Sequence, residues 1–275
     1  MDLNSLIVAL AETLSKTKPL VHPTKPMIIG VSGSQGSGKS TLCEAWRDAY
    51  LAQGKRAVIL GLDDFYLSKA TRLALSKSVH PLCSTRGVPG THDIANLAAI
   101  LTSLQNADAQ SRTQIPVFNK ADDDLLPVVE WPSFIGRPDV IFIEGWCLGA
   151  RSKFITDAMS EQPRTDWEVA HDPDQLWRKW TVAANKPYER IWDRLDSLIF
   201  LQQDNFNCVI DARWRQEENN FAKTGRRLFA SRDEVAEFCA HYKTWTEAIM
   251  QCLPQHADIN VQCLEGYKYL INSNI

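Results

Sequence analysis

Met27-Ile28-Ile29-Gly30-Val31-Ser32-Gly33-Ser34-Gln35-Gly36-Ser37-Gly38-Lys39-Ser40-Thr41 is the stretch whose reading decides the fold. Its first six residues are an apolar run with β-branched members and read as a buried strand. Gly33 to Ser40 then fit G-x-x-x-x-G-K-[ST], the pattern of a phosphate-cradling P-loop. Glycines let successive backbone N–H groups turn inward around an anion. Lys39 opens a helical pattern with Leu42, Ala45, Trp46 and Tyr50 on one face, stopped by Gly54. A helix starting there aims its positive end at the same anion. The spacing predicts that Lys39 reaches the β- and γ-phosphates and that Ser40 offers its hydroxyl to Mg²⁺. Gly33, Ser34, Gln35, Gly36, Ser37, Gly38 and Thr41 complete the expected nucleotide-binding set. A chance glycine-rich turn would match this pattern on the order of once in a hundred chains of this length.

Outward from the loop, short apolar runs alternate with helical patterns. Ala57–Leu62 predicts a second buried strand, with Asp63-Asp64 at its end. Ile115–Phe118, Val140–Glu144 and Ser197–Leu201 predict further strands. Asp93 predicts the cap of a helix to about Leu104. Residues 173–195 carry a helical pattern, and Leu3, Leu6, Ile7, Leu10 and Leu14 give a helical stripe over residues 2–15. Ser231 with Glu234 predicts a capping box ahead of a helix to about Leu253, ended by Pro254. Val261–Cys263 and Tyr267–Ile271 predict a terminal strand or hairpin. Asp108–Arg112 and Glu161–Asp174 read as polar loops. The alternation predicts an α/β fold, a P-loop NTPase-type three-layer sandwich with a mainly parallel central sheet. With no repeat or linker in view, residues 1–275 read as a single domain. In such sheets the site lies beyond the carboxyl ends of the strands, where Gly33, Asp63 and Glu144 all fall.

The bulk numbers exclude several classes. Of 275 residues 44% are hydrophobic and the net charge is −3, so no basic excess points to a nucleic-acid partner. Seven cysteines are scattered with no CxxC pair, which reads as reduced core thiols in a cytoplasmic protein. The apolar run Leu6–Ala11 is too short to span a bilayer and no basic signal-peptide region precedes it, so no membrane partner is expected. The histidines show no metal-ligand spacing.

Asn119-Lys120-Ala121-Asp122 matches N-K-x-D, the guanine-reading motif of GTPases. Its usual companion, D-x-x-G after an intervening strand, is absent from residues 41–118, so the match reads as coincidence. Asp63, at a strand end across from the P-loop, suits a group that positions an acceptor hydroxyl and takes its proton. The plainer reading is an Asp-Asp turn. Glu144 ends VIFIE and suits a carboxylate that holds Mg²⁺ directly or through water.

Leu62–Leu67 (LDDFYL), Val79–Asp93 (VHPLCSTRGVPGTHD), Pro116–Lys120 (PVFNK) and Ile143–Ala150 (IEGWCLGA) resemble the D-glycerate 3-kinase-like P-loop kinases. That family lies within the wider phosphoribulokinase, uridine kinase and pantothenate kinase group. The resemblance spans about Ile28 to Tyr242. It implies ATP and Mg²⁺ as cofactors and a small-molecule hydroxyl acceptor as partner. It implies that Asp63 is the catalytic base beside the catalytic Lys39, and that Glu144 lies near the metal. It also implies that Arg86, Thr91, His92, Asp93 and Lys120 contact the acceptor. A small hydroxy acid suits that basic set, since a carboxylate favours an arginine fork or a lysine.

Ala212–Arg227 (ARWRQEENNFAKTGRR) is the expected helical lid. Lid arginines neutralise charge on a transferring phosphoryl group. The family pattern lies here in two registers, so Arg213 and Arg215 compete for the role, and Arg213 with Glu217 also reads as an ordinary i,i+4 pair. Two departures stand out: Asn119 replaces the family's usual Asp, and Asp124-Leu125 stands where relatives often carry an arginine. The expected function is ATP-dependent phosphorylation of a small alcohol, D-glycerate foremost. The alternatives are an ATP-binding regulatory protein, or a kinase acting on another acceptor such as a nucleoside or pantothenate. Oligomeric state and adenine contacts leave no mark in the sequence.

Overall fold

Side-chain alternation along the strands decides the layers. In the computed structural model, which describes residues 1–17, 25–266 and 268–272, strand β1 (Met27–Gly33) sends Ile28 to one face of the sheet. It sends Met27, Ile29 and Val31 to the other. Strand β2 (Ala57–Gly61) divides Val58 and Leu60 from Ala57 and Ile59 in the same way. Both faces are apolar, so both need helices over them.

Helix α1 (Leu3–Thr17) precedes β1, α2 (Lys39–Ala52) joins β1 to β2, and α3 (Lys69–Ser78) and α4 (Ile94–Asn106) follow β2. Short strands β3 (Arg112–Gln114), β4 (Phe118–Asn119), β5 (Asp124–Leu125) and β6 (Ser133–Ile135) follow. Strand β7 (Val140–Gly145) returns to the centre. Helices α5 (Ser152–Glu161), α6 (Asp166–His171), α7 (Leu176–Ala184) and α8 (Glu189–Trp192) lead to strand β8 (Ser197–Gln202). Helices α9 (Phe206–Thr224), α10 (Arg232–Ala240) and α11 (Lys243–Cys252) precede strands β9 (Ile259–Leu264) and β10 (Lys268–Asn272).

The central sheet has the order β10-β9-β8-β1-β7-β2. All its neighbours are parallel except the β9–β10 hairpin. Helices α1 and α2 cover one face through Leu6, Leu10, Leu14, Leu42 and Trp46. Helices α4, α5, α7 and α11 cover the other through Leu97, Ile155, Trp177 and Trp245, among others. This is the expected three-layer α/β sandwich.

Several local expectations differ from the structure. Ile115–Phe118 is not a strand of the sheet: only Phe118–Asn119 pairs, in a two-residue hairpin with Asp124–Leu125. Pro116 has no N–H to give a ladder, and Ile115 instead donates its N–H to the Pro132 carbonyl. The stretch Glu161–Asp174 holds a helix, α6, opened by a reciprocal capping box between Thr165 and Glu168. Residues 173–195 are broken at Lys186-Pro187, as a proline interior to a helix requires. The helix expected from Ser231 to Leu253 is broken at His241-Tyr242. Ser231 does accept the Glu234 N–H, but the Glu234 carboxylate accepts from Ala230, one residue before the cap, so the box is not closed. The terminal hairpin forms as β9–β10, with Tyr267 outside the described residues.

Candidate active site

The P-loop follows directly from β1. Gly36 and Gly38 take φ of 74° and 92°, the left-handed region that favours glycine. Gly38 is the N-cap of α2 and supplies no side-chain cap, so the first N–H groups of that helix are left for an anion. A Cβ on Gly36 would collide with Ala212, so α9 packs directly on the loop. Ser34 hydrogen-bonds Gln203 just beyond β8. Lys39 Nζ donates to the Ser34 carbonyl at 3.0 Å, curling back over the cradle. Gly36 to Thr41 line a cavity of about 890 Å³, together with Lys120 and residues of α9 and the β9–β10 hairpin.

The acidic side of the site lies at the ends of β2 and β7. After Gly61 the chain makes a 3-10 turn over Leu62–Phe65. That turn presents Asp63 with both oxygens engaged. Tyr66 Oη donates to Oδ1 at 2.6 Å and Lys120 Nζ donates to Oδ2 at 2.8 Å. Burial pushes the carboxyl up, but the Lys120 charge, its hydrogen bond and that of Tyr66 outweigh this and hold it at about 2. The Asp63 side chain still has 41% of its surface open, so the burial penalty there is tempered by solvent. Asp64 behaves oppositely. Burial, with Asp63 and Glu144 close by, pushes it up to about 6 against the Phe118 N–H and Lys120.

Ser40 Oγ donates to Glu144 Oε1 at 2.8 Å, which joins the P-loop to the end of β7. A Cβ on Gly61 would stand 2.9 Å from Asp64 Oδ2 and 3.7 Å from Glu144 Oε1, so both carboxylates flank one point. This cluster of hard oxygen donors, strained by its own negative charge, fits Mg²⁺. Among the described residues no set of three or more His, Cys, Asp or Glu is arranged to hold a metal alone. Mg²⁺ commonly takes one or two carboxylates and draws the rest of its shell from substrate phosphates and water.

The loop before α4 carries the expected acceptor residues, and the structure divides them. Thr91 Oγ1 accepts the Gly87 N–H and donates to the Val88 carbonyl, so it braces the loop itself. Asp93 caps α4 by accepting the Asn96 N–H at 2.9 Å. Arg86 pairs with Asp123, a residue held at φ 56°, and its guanidinium lies over the Phe118 ring. His92 stacks on Tyr66 at 4.5 Å, and burial pushes its ring down to about 3 although Asp63 opposes this. Asp63, Tyr66, His92 and Lys120 thus form one contiguous group, while Thr91 and Asp93 face their own backbone. The N-K-x-D match forms the turn of the β4–β5 hairpin. Asn119 Nδ2 donates to Asp122, and Lys120 turns to Asp63.

In α9, Arg213 Nη2 lies 2.6 Å from Glu217 Oε1, and Glu217 Oε2 also accepts the Leu228 N–H. Arg215 is exposed and donates Nε to the Asp211 carbonyl of its own helix at 3.4 Å. Both arginines line the cavity.

Several contributors went unread in the sequence. Tyr66 stands three residues after Asp63, a visible spacing. Trp146 Nε1 donates to the Gly87 carbonyl and Tyr242 Oη to the Arg86 carbonyl, clamping the loop before α4 from afar. Buried Arg72 ties Leu67, Ser84 and Asp123 together through their carbonyls. Trp146 stands in the IEGWCLGA block, but no local pattern marks Tyr242 or Arg72.

No protein-family model matches the sequence. The chain is 29% identical over 248 residues to the uncharacterized kinase mug58 of Schizosaccharomyces pombe, a match covering 88% of this chain and 87% of that protein. It is 30% identical over 254 residues to a pantothenate kinase of Lactococcus lactis subsp. cremoris, covering 89% and 76%. The solved D-glycerate 3-kinase of Cryptococcus neoformans var. grubii matches its fold with a TM-score of 0.72 at 26% identity, covering 90% and 87%. No helix among the described residues is long and apolar enough to cross a membrane. The phosphate cradle, the acid at the end of β2 and these relatives agree, and the chain belongs to the small-molecule P-loop kinases of the group that includes the pantothenate kinases.

Proposed function

We propose that this small-molecule kinase transfers the γ-phosphoryl group of ATP to a hydroxyl of a small hydroxy acid, D-glycerate foremost, giving ADP and a phosphoglycerate. One observation carries the reading: Asp63 sits at the carboxyl end of β2 with a lysine on one oxygen and a tyrosine on the other. A regulatory nucleotide-binding protein has no need of an oriented acid beside a basic group.

Bound Mg²⁺–ATP supplies the electrophilic phosphorus and neutralises charge on the phosphate oxygens. The residues that would hold it are Ser40 and Glu144 for the ion and Gly33–Thr41 for the phosphates. Lys39 releases the Ser34 carbonyl for the phosphates. Asp63 orients the acceptor hydroxyl and takes its proton late, as a loose transition state allows. Lys120 holds that carboxylate ionised until the acceptor arrives. It then turns to the acceptor carboxylate, which leaves Oδ2 free and lets the basicity of Asp63 rise. Arg86 adds positive charge from the braced loop. Arg215, not Arg213, is the lid arginine, because Glu217 already holds Arg213.

The test is ADP release with ATP and Mg²⁺ against a panel of D-glycerate, a nucleoside and pantothenate. D-glycerate is expected to give the highest kcat/KM. Release no faster than the acceptor-free background would remove it as the substrate.

A further inference from the structure

Tyr188 lies in the 3-10 turn Lys186–Tyr188, 96 residues from His92, and both are buried. Its phenol oxygen accepts the Gly90 N–H at 2.8 Å and lies 2.8 Å from His92 Nδ1. A phenol has one proton to give. Its other neighbours, the Gly90 and His92 backbone N–H groups, are donors, so among the described residues Nδ1 is the acceptor open to that proton. A buried hydroxyl proton without an acceptor is costly, so it goes to Nδ1. Nδ1 is then the lone-pair nitrogen, and a neutral ring must carry its proton on Nε2. Burial favours the neutral ring and pushes the imidazolium pKa down to about 3.

Nε2 itself is buried and has no partner among the described residues. His92 is only 5% exposed, so this is an unpaired donor in the interior, a group native structures rarely leave unused. Its place is informative. The segments around Tyr66 and His92 form an antiparallel bridge, and the Tyr66 ring stacks on the imidazole. The hydroxyl of that same Tyr66 bonds Asp63. The free donor therefore lies one ring away from the acid.

We propose that Tyr188 is a positioning residue that fixes His92 as the neutral Nε2–H tautomer, whose N–H donates to a carboxylate or hydroxyl oxygen of the acceptor substrate beside Asp63. A neutral donor at this point selects an oxygen acceptor and rejects an amine. It also adds no charge that would compete with Lys120 for Asp63. The identity of the ligand rests on the kinase reading above; the tautomer does not.

The experiment is a long-range ¹H–¹⁵N spectrum of the whole protein with labelled histidine, His92 being assigned through His92→Gln. The expected spectrum shows a lone-pair Nδ1 and a protonated Nε2. Adding D-glycerate with ADP and Mg²⁺ is expected to move the Nε2–H signal. Tyr188→Phe is expected to lose the single tautomer and to raise the acceptor KM about tenfold, the worth of roughly one hydrogen bond, with kcat and the KM for ATP little changed. His92→Gln, which keeps a donor near the Nε2 position, is expected to retain more acceptor affinity than His92→Asn, whose shorter side chain does not reach it. A proton found on Nδ1 overturns the proposal, as does an Nε2–H signal unmoved by D-glycerate in an enzyme that turns it over. If no acceptor supports ADP release, the kinase reading falls, and the ligand-free spectrum still decides whether Tyr188 sets the tautomer.

Discussion

Lys120 Nζ lies 2.8 Å from Asp63 Oδ2, although 57 residues separate the two in sequence. The pair closes the acidic end of β2 against the β4–β5 hairpin. It also helps hold the Asp63 carboxyl down at about 2.

Removing the lysine tests that coupling. Lys120→Met is expected to raise the Asp63 carboxyl from about 2 toward the ordinary carboxylate range near 4. The sign follows from the depressed value. Asp63 is ionised, and contributes to stability, above its unfolded pKa, and that contribution fades as pH falls through about 2. In the variant the acid limb of the pH–rate profile should move upward, and the acceptor KM should rise about 10- to 100-fold if the ammonium binds the acceptor carboxylate. A profile and KM like those of the unsubstituted enzyme would count against the assignment.

Arg213 and Arg215 should separate cleanly. Arg213→Ala strands the Glu217 carboxylate, 5% exposed, and should cost stability on the order of 3 kcal/mol in thermal or denaturant unfolding. Arg215→Ala breaks no ion pair seen in the structure. It should leave the melting temperature alone and lower kcat by about 10-fold or more, as loss of a charge-stabilising group does. The reverse pattern would exchange the two roles.

Ser40→Ala removes the hydroxyl that joins the P-loop to Glu144 at 2.8 Å. The expected outcome is a higher Mg²⁺ requirement in the ADP-release assay, on the order of tenfold or more, at nearly unchanged stability. Titrating Mg²⁺ at fixed ATP reads this directly.

Gly90 has φ 96°, and a Cβ there would collide with Trp180. Gly90→Ala should therefore shift the loop that carries Arg86 and His92. Acceptor KM is expected to rise while equilibrium ATP binding holds, since the P-loop is a separate segment. Equal loss of both would mean that the substitution disturbs the fold at large.

The strands were legible because MIIGVS and VIFIE are apolar on both faces, a pattern that only a sheet covered on both sides satisfies. The P-loop and the acids at strand ends followed from the same reading. The break at His241-Tyr242 was not legible, since no glycine or proline marks it. Tertiary contact marks it instead, for Tyr242 reaches the Arg86 carbonyl. Helix α6 was readable in principle, because Thr165 and Glu168 have capping-box spacing, but its polar sequence hid it. In the site, position was legible and partnership was not. Thr91 and Asp93 stand in a specific-looking block, yet each is occupied with the loop's own backbone. Lys120 was found through its motif, but its contact with Asp63 depends on a hairpin of two-residue strands that no periodicity announces.

The most direct test of the central claim is Asp63→Asn, assayed for D-glycerate-dependent ADP release beside equilibrium ATP binding. The account predicts that release falls about 10²–10⁴-fold while the ATP Kd changes little. Release within a few-fold of the unsubstituted enzyme, or a parallel collapse of ATP binding, would contradict it.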